Sequence, residues 1–151
     1  MLIIPHIRLA VPDDAGVIAG MSRDYIEWGL PWSWRAARVR SAILDRSTNV
    51  AVVPGGDEII GFGIMQVAGD TAHLALFAIR PTHRHRGLGR VLMAWLEKPV
   101  AVAGVQRIRL EARADNLNAL AFYRRLGFTE LARVPGYYQG AIDAVRLEKR
   151  L

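Results

Sequence analysis

The run Leu74-Ala75-Leu76-Phe77-Ala78-Ile79 is apolar at every position. Successive side chains of a β-strand point to opposite faces, so a strand apolar on both needs cover above and below. That makes it a central strand between layers, not an edge strand or one with a face in water. The rest of the chain supplies helices for the covering. Pro12-Asp13-Asp14 opens one, since proline and acidic residues suit a first turn. Its helical spacing continues through Val17, Ile18, Met21 and Tyr25 until Gly29-Leu30-Pro31 breaks it. Ser33 is placed to cap a second helix reaching about Asp45, with Val39, Ile43 and Leu44 on one side. A third carries Leu88, Val91, Leu92, Trp95 and Leu96. Pro99 predicts that this helix ends or kinks there, because an interior proline costs about 3 kcal/mol. A fourth runs from Asn116 to Leu126 and stops at Gly127, a good residue just past a helix end.

Strands are expected at Ile3 to Ala10, Asn49 to Val53, Glu58 to Ala68, Thr71 to Ile79, Gln106 to Ala112, Phe128 to Val134 and Ala144 to Lys149. Pro54-Gly55-Gly56-Asp57 and Gly69-Asp70 mark turns between them. The order β-α-α-β-β-β-α-β-α-β-β describes a mixed α/β domain. With 151 residues and no linker, repeat or low-complexity tract, residues 1–151 are expected to form one domain.

Several kinds of chemistry drop out early. The chain has no cysteine, which excludes disulfides, thiolate metal sites and a cysteine nucleophile. His6, His73, His83 and His85 lack the spacing of a helical zinc pair, so no metal is expected. No apolar run reaches the roughly 18 residues that span a bilayer. The start Met1-Leu2-Ile3-Ile4-Pro5 is too short and uncharged for a signal peptide. The expectation is a cytoplasmic protein with no membrane association. The formal net charge is +6, and only Lys98 and Lys149 are lysines. Arginine suits planar contact with phosphate, though it equally serves a solvated surface.

The segment Arg84-His85-Arg86-Gly87-Leu88-Gly89-Arg90 follows the central strand and opens the third helix. Two glycines let backbone N–H groups approach a ligand, and a helix start adds unpaired donors and a positive dipole end. These are the physical parts of a pyrophosphate cradle. The segment lacks the Lys-Ser/Thr ending of a nucleoside-triphosphate loop and the GxGxxG spacing of a dinucleotide fold. Alone, it reads equally as an ordinary turn.

It does not stand alone. Phe77-Ala78-Ile79-Arg80-Pro81 with Arg84-x-x-Gly87-x-Gly89 resembles the acetyl-CoA motif of the GNAT superfamily. Leu110-Glu111-Ala112-Arg113-Ala114-Asp115-Asn116, then Ala119 and Ala121-Phe122-Tyr123-x-x-Leu126-Gly127-Phe128, resembles its second motif. Leu30-Pro31-Trp32-Ser33 and Val134-Pro135-Gly136-Tyr137-Tyr138 resemble the branch of ribosomal-protein alanine N-acetyltransferases. The resemblance implies a single GNAT-like α/β domain: a mostly antiparallel central sheet with a splayed central strand pair and helices on both faces. It implies acetyl-CoA as cosubstrate. The backbone of Phe77, Ala78 and Ile79 would hold the pantetheine arm as an added strand does. Arg84, His85, Arg86, Gly87, Leu88, Gly89 and Arg90 would hold the pyrophosphate, with Asn116 and Tyr123 also touching the cofactor. Small proteins of this fold often form homodimers.

Acetylating an amine requires removing its proton and supplying one to the departing thiolate. By the resemblance Tyr123 is the acid and Glu111 the base, acting through a water. A strand N–H near Ile79 would stabilise the oxyanion. Read from the residues alone, Tyr123 can also be a core aromatic, and Glu111 a salt-bridge partner of Arg109 or Arg113. Trp28, Trp32 and Trp34, with Tyr137 and Tyr138, are candidates to wall the acceptor site; tryptophans also serve as core or lid packing. Glu27 can meet a cationic amine or be a solvated helix carboxylate. The leading acceptor is a protein or peptide N-terminus. The alternatives are a small amine (a polyamine, an amino acid or an aminoglycoside), a non-turning CoA-binding module, and a nucleic-acid-binding module, which no accompanying motif supports.

Overall fold

A computed structural model describes residues 6–151. Of the first expected strand, residues 3–5 lie outside the described residues, and the rest forms β1 (Arg8–Leu9). The chain continues through α1 (Ala15–Tyr25), α2 (Ala36–Leu44), β2 (Thr48–Gly55), β3 (Glu58–Ala68), β4 (Thr71–Ile79), α3 (Leu88–Val102), β5 (Arg107–Arg113), α4 (Leu117–Arg125), β6 (Thr129–Tyr138) and β7 (Ile142–Arg150). This is the element order expected from the sequence. Among the described residues no helix is long and apolar enough to cross a membrane.

The strands form one sheet in the order β1-β2-β3-β4-β5-β7-β6. Every neighbouring pair is antiparallel except β4 with β5, which α3 joins as a parallel crossover. Alternation along the strands builds two cores. Val50, Val52, Phe62 and Ile64 pack with Ile18 and Val39 beneath α1 and α2. Ala51, Val53, Met65 and Ile108 pack with Leu92, Leu96 and Leu120 beneath α3 and α4. The doubly apolar β4 lies between them, as expected.

A bulge refines that picture. Ile64 faces Leu76 across the β3–β4 ladder and Met65 faces Leu74, so Ala75 is an extra residue in β4. Side-chain parity therefore switches within the strand. Leu74 before the bulge and Ile79 after it belong to the α3/α4 core, whereas Leu76 and Ala78 belong to the other. His73, on the opposite parity to Leu74, falls on the α1/α2 side.

Two local expectations are corrected. Ser33 does not cap α2: Arg35 holds the N-cap position, and Ser33 is bonded to Glu27 instead. The third helix does not end at Pro99 but runs on to Val102. Pro99 lies in the last turn with its ring exposed. Its carbonyl still accepts the Ala103 N–H at 3.0 Å, and Val100 is packed into the core.

Candidate active site

The sheet opens where β4 and β5 part. Their pairing is confined to Thr71–Arg107, Ala72–Ile108 and His73–Arg109. Beyond His73, β4 remains paired with β3 on one edge, and its other edge has no strand partner. Phe77, Ala78 and Ile79 lie on this released stretch. Unpaired strand backbone of this kind can bind an extended amide chain, so the arrangement fits a pantetheine arm.

The released strand leads into the Arg84–Arg90 loop. His85 (φ 63°) and Gly87 (φ 78°) both adopt left-handed backbone, and Gly87 is the N-cap of α3. A non-glycine residue there is uncommon and marks a constrained loop. Gly89 sits against the Phe122 ring: a Cβ would lie 2.9 Å from its nearest atom. Leu88, Gly89 and Arg90 form the first turn of α3, whose N–H groups have no intrahelical acceptor. They and the exposed Arg86 and Arg90 suit a diphosphate. Arg84 instead turns back, donating from Nε to the Ile79 carbonyl at 3.1 Å. Asn116 caps α4, its side-chain oxygen accepting the Ala119 N–H at 3.1 Å.

Tyr123 projects from α4 into an aromatic cluster. Its ring centroid is 5.4 Å from Phe122, 5.8 Å from Phe128 and 6.4 Å from Phe77, all edge-on. Burial raises its phenol well above the usual tyrosine range, so the hydroxyl keeps its proton at neutral pH. It makes no hydrogen bond among the described residues.

Across the fork, on the α1/α2 side, lies a groove of about 290 Å³. Its walls come from the loop after α1 (Ile26, Pro31, Trp34), from His73 and Leu76 of β4, and from Tyr137 and Tyr138 of β6. Glu111 also lines it, with its side chain largely buried. Ile108, Leu110 and Ala112 of β5 face the α3/α4 core, so Glu111 points the other way. Its carboxylate accepts from His73 Nε2 at 2.7 Å, from Arg146 Nε at 3.0 Å and from the Tyr137 hydroxyl at 3.2 Å. The His73 hydrogen bond is the main cause that lowers its pKa from 4.5 to about 2; burial works against this, and Arg146 adds to it. The salt-bridge reading is thus met by different partners: Arg109 pairs with Glu148, and Arg113 with Asp115. Burial and Glu111 push the Tyr137 phenol upward. The Tyr138 phenol is also raised, first by burial and then by Tyr137, Glu111 and Tyr123. The Tyr138 ring packs edge-on against Tyr137, 4.9 Å between centroids, in the wall of the groove.

Of the aromatic candidates for the acceptor wall, Tyr137, Tyr138 and Trp34 line the groove; Trp28 and Trp32 do not. Trp32 donates to the Ala19 carbonyl at 3.1 Å, with the guanidinium groups of Arg23 and Arg35 over its ring. Trp28 is covered by Arg113, 3.5 Å from the ring centroid. Both pack against arginine, a role the residue type shares with a pocket wall. Glu27 is neither solvated nor free to meet an amine. It is buried and accepts from Ser22, the Ser33 N–H and hydroxyl, and the Trp34 N–H, which fixes the loop after α1. Two further residues, Arg113 and His73, take places at the site that the sequence did not assign them. Arg113 is 4% exposed and donates to the Ile26 and Trp28 carbonyls at 3.2 and 2.5 Å, tying that loop to the fork. His73 is the one polar residue between Ala72 and Ile79, and that isolation was the available signal.

Comparison with known proteins agrees with this geometry. The family model described as Acetyltransferase (GNAT) family matches residues 16–128. The [Ribosomal protein bS18]-alanine N-acetyltransferase of Salmonella typhimurium is 40% identical over 92 residues, covering 59% of this chain and 62% of that protein. The match to that relative thus spans a little under two thirds of its length. The Escherichia coli K12 protein of the same name is 34% identical over 118 residues, covering 76% of this chain and 78% of that one. The crystal structure of the ribosomal-protein-S18-alanine N-acetyltransferase from Escherichia coli superposes with a TM-score of 0.80 at 27% identity, over 97% of this chain and 94% of that one.

Proposed function

The chain belongs to the GNAT acetyltransferase family, and from that premise we propose that it acetylates the α-amine of a peptide or protein N-terminus. It is an acetyl-CoA-dependent N-acetyltransferase. One observation carries the choice of acceptor. Among the described residues the groove holds no carboxylate free to bind a second ammonium: Glu27 is buried under its own hydrogen bonds, and Glu111 is held by three donors. A polyamine needs such partners along its length, whereas a peptide offers one amine and then backbone. The relatives named for alanine N-termini support the same reading.

The residues divide the work across the fork. The free edge of β4 and the first turn of α3 hold acetyl-CoA, which supplies an activated acetyl thioester. The amine enters by the groove and loses a proton at the cluster around Glu111. Its nitrogen then attacks the thioester carbon. The C–S bond breaks as the amide forms, and Tyr123 gives its phenolic proton to the departing sulfur. The ammonium nitrogen loses two protons in all; one in effect replaces that of Tyr123 and the other leaves to solvent.

CoA release from acetyl-CoA over N-terminal peptides, polyamines and aminoglycosides tests this reading. Turnover is expected on peptides, with kcat lowered about 10²–10⁴-fold in Tyr123→Phe and CoA affinity kept. Turnover confined to small amines would overturn the peptide assignment. An unchanged kcat in Tyr123→Phe would overturn the acid.

A further inference from the structure

Building on the acetyltransferase reading of the groove, we propose that His73 is the group that takes the proton from the acceptor amine, and that Glu111 is its positioning residue. His73 is the last residue at which β4 and β5 pair, so its imidazole stands at the point of the fork. It lines the groove with its side chain 40% exposed, while the Glu111 side chain behind it is 10% exposed. The Glu111 carboxylate can only accept hydrogen bonds when ionised. Its contact with His73 Nε2 at 2.7 Å therefore requires the proton on Nε2. In the neutral ring this leaves the lone pair on Nδ1, which has no hydrogen-bond partner among the described residues.

The groups around the imidazole support this division. Arg146 and Tyr137 also donate to Glu111 and hold it in place. Arg109, in register with His73, is taken by Glu148 at 3.0 Å. Glu27, Tyr138 and Arg38 complete the charged or titratable lining: the Glu27 carboxylate is occupied by donors from Ser22, Ser33 and Trp34, the Tyr138 phenol is raised by burial, and the Arg38 guanidinium has no acceptor atom. A carboxylate that binds its proton as weakly as Glu111 is a poor acceptor for an ammonium proton. It is well suited to orient an imidazole and to stabilise the imidazolium that forms. The step balances simply. The ammonium N–H bond breaks, its proton moves to Nδ1, and the freed lone pair attacks the thioester carbon. The imidazolium returns the proton to solvent after acetyl transfer.

The test uses the full-length chain, acetyl-CoA and an alanine-initiated peptide, with kcat measured from pH 5.5 to 9 and CoA affinity measured alongside. His73→Ala is expected to lose about 100-fold or more in kcat, to keep its CoA affinity, and to regain rate when imidazole is added. Glu111→Gln is expected to keep an acidic limb displaced to lower pH, because the imidazolium loses its carboxylate. Wild-type kcat and an unmoved limb in His73→Ala would overturn the proposal, as would a loss that imidazole does not restore. If the wild-type chain binds CoA but acetylates no amine, the functional reading falls and this inference with it. If only His73→Ala behaves as wild type, the acetyltransferase reading stands.

Discussion

Replacing Glu111 by glutamine keeps the shape of the side chain and removes its charge. The folded carboxylate has its pKa lowered from 4.5 to about 2, chiefly by the His73 hydrogen bond. A carboxyl whose folded pKa is depressed adds stability above its unfolded pKa and loses it as pH falls through the folded one. That lowering is worth about 3 kcal/mol at neutral pH. The side chain is only 10% exposed, so solvent screening takes little from this. Glu111→Gln should therefore unfold with about 3 kcal/mol less stability at pH 7. For a chain of 151 residues that lowers Tm by about 10 °C. The gap should narrow to roughly 1 kcal/mol at pH 3, because the wild-type carboxyl has lost most of its advantage there. Urea unfolding of both proteins at pH 7 and pH 3 reads this directly. Equal stabilities at pH 7, or a gap that ignores pH, would refute the account of what holds Glu111 at the fork.

Two other predictions address the faces on either side. Gly89→Ala would place a Cβ 2.9 Å from the Phe122 ring, itself stacked on Phe77 and edge-on to Tyr123. It should cost about 1–3 kcal/mol in urea unfolding and weaken CoA binding in calorimetry. Arg113→Leu should free the Ile26 and Trp28 carbonyls and raise KM for the peptide, leaving CoA affinity intact. Steady-state kinetics against each substrate in turn separates these effects.

The element order was legible because each helix and strand has its own apolar period and a turn signal at its end. The central place of β4 followed from six apolar residues in a row. What periodicity does not carry is pairing. The parting of β4 and β5 after His73 has no local signature in either strand, and only the resemblance to a family supplied it. The bulge at Ala75 was hidden for the same reason that made β4 recognisable: where every residue is apolar, a change of parity leaves no mark. Glu111 was found, but its partners were sought on its own strand, at Arg109 and Arg113. They lie on β4, β6 and β7, which are 38, 26 and 35 residues away. Trp28 and Trp32 were assigned by residue type, and tryptophan packs under arginine as readily as it walls a pocket.

The two cores lie on opposite faces of one sheet, and this bears on how such a chain can diverge. Distant side chains without shared partners contribute to stability almost independently. Residues that shape the acceptor groove, such as Trp34 and Tyr137, belong to a different layer from Leu92, Leu120 and the Gly89–Phe122 contact. A lineage can thus exchange one layer for a new amine while the other goes on binding the same thioester. The fork is the place where such freedom ends, since His73 and Glu111 face the groove from β4 and β5, the strands whose other face carries Leu74, Ile108 and Leu110 into the α3/α4 core.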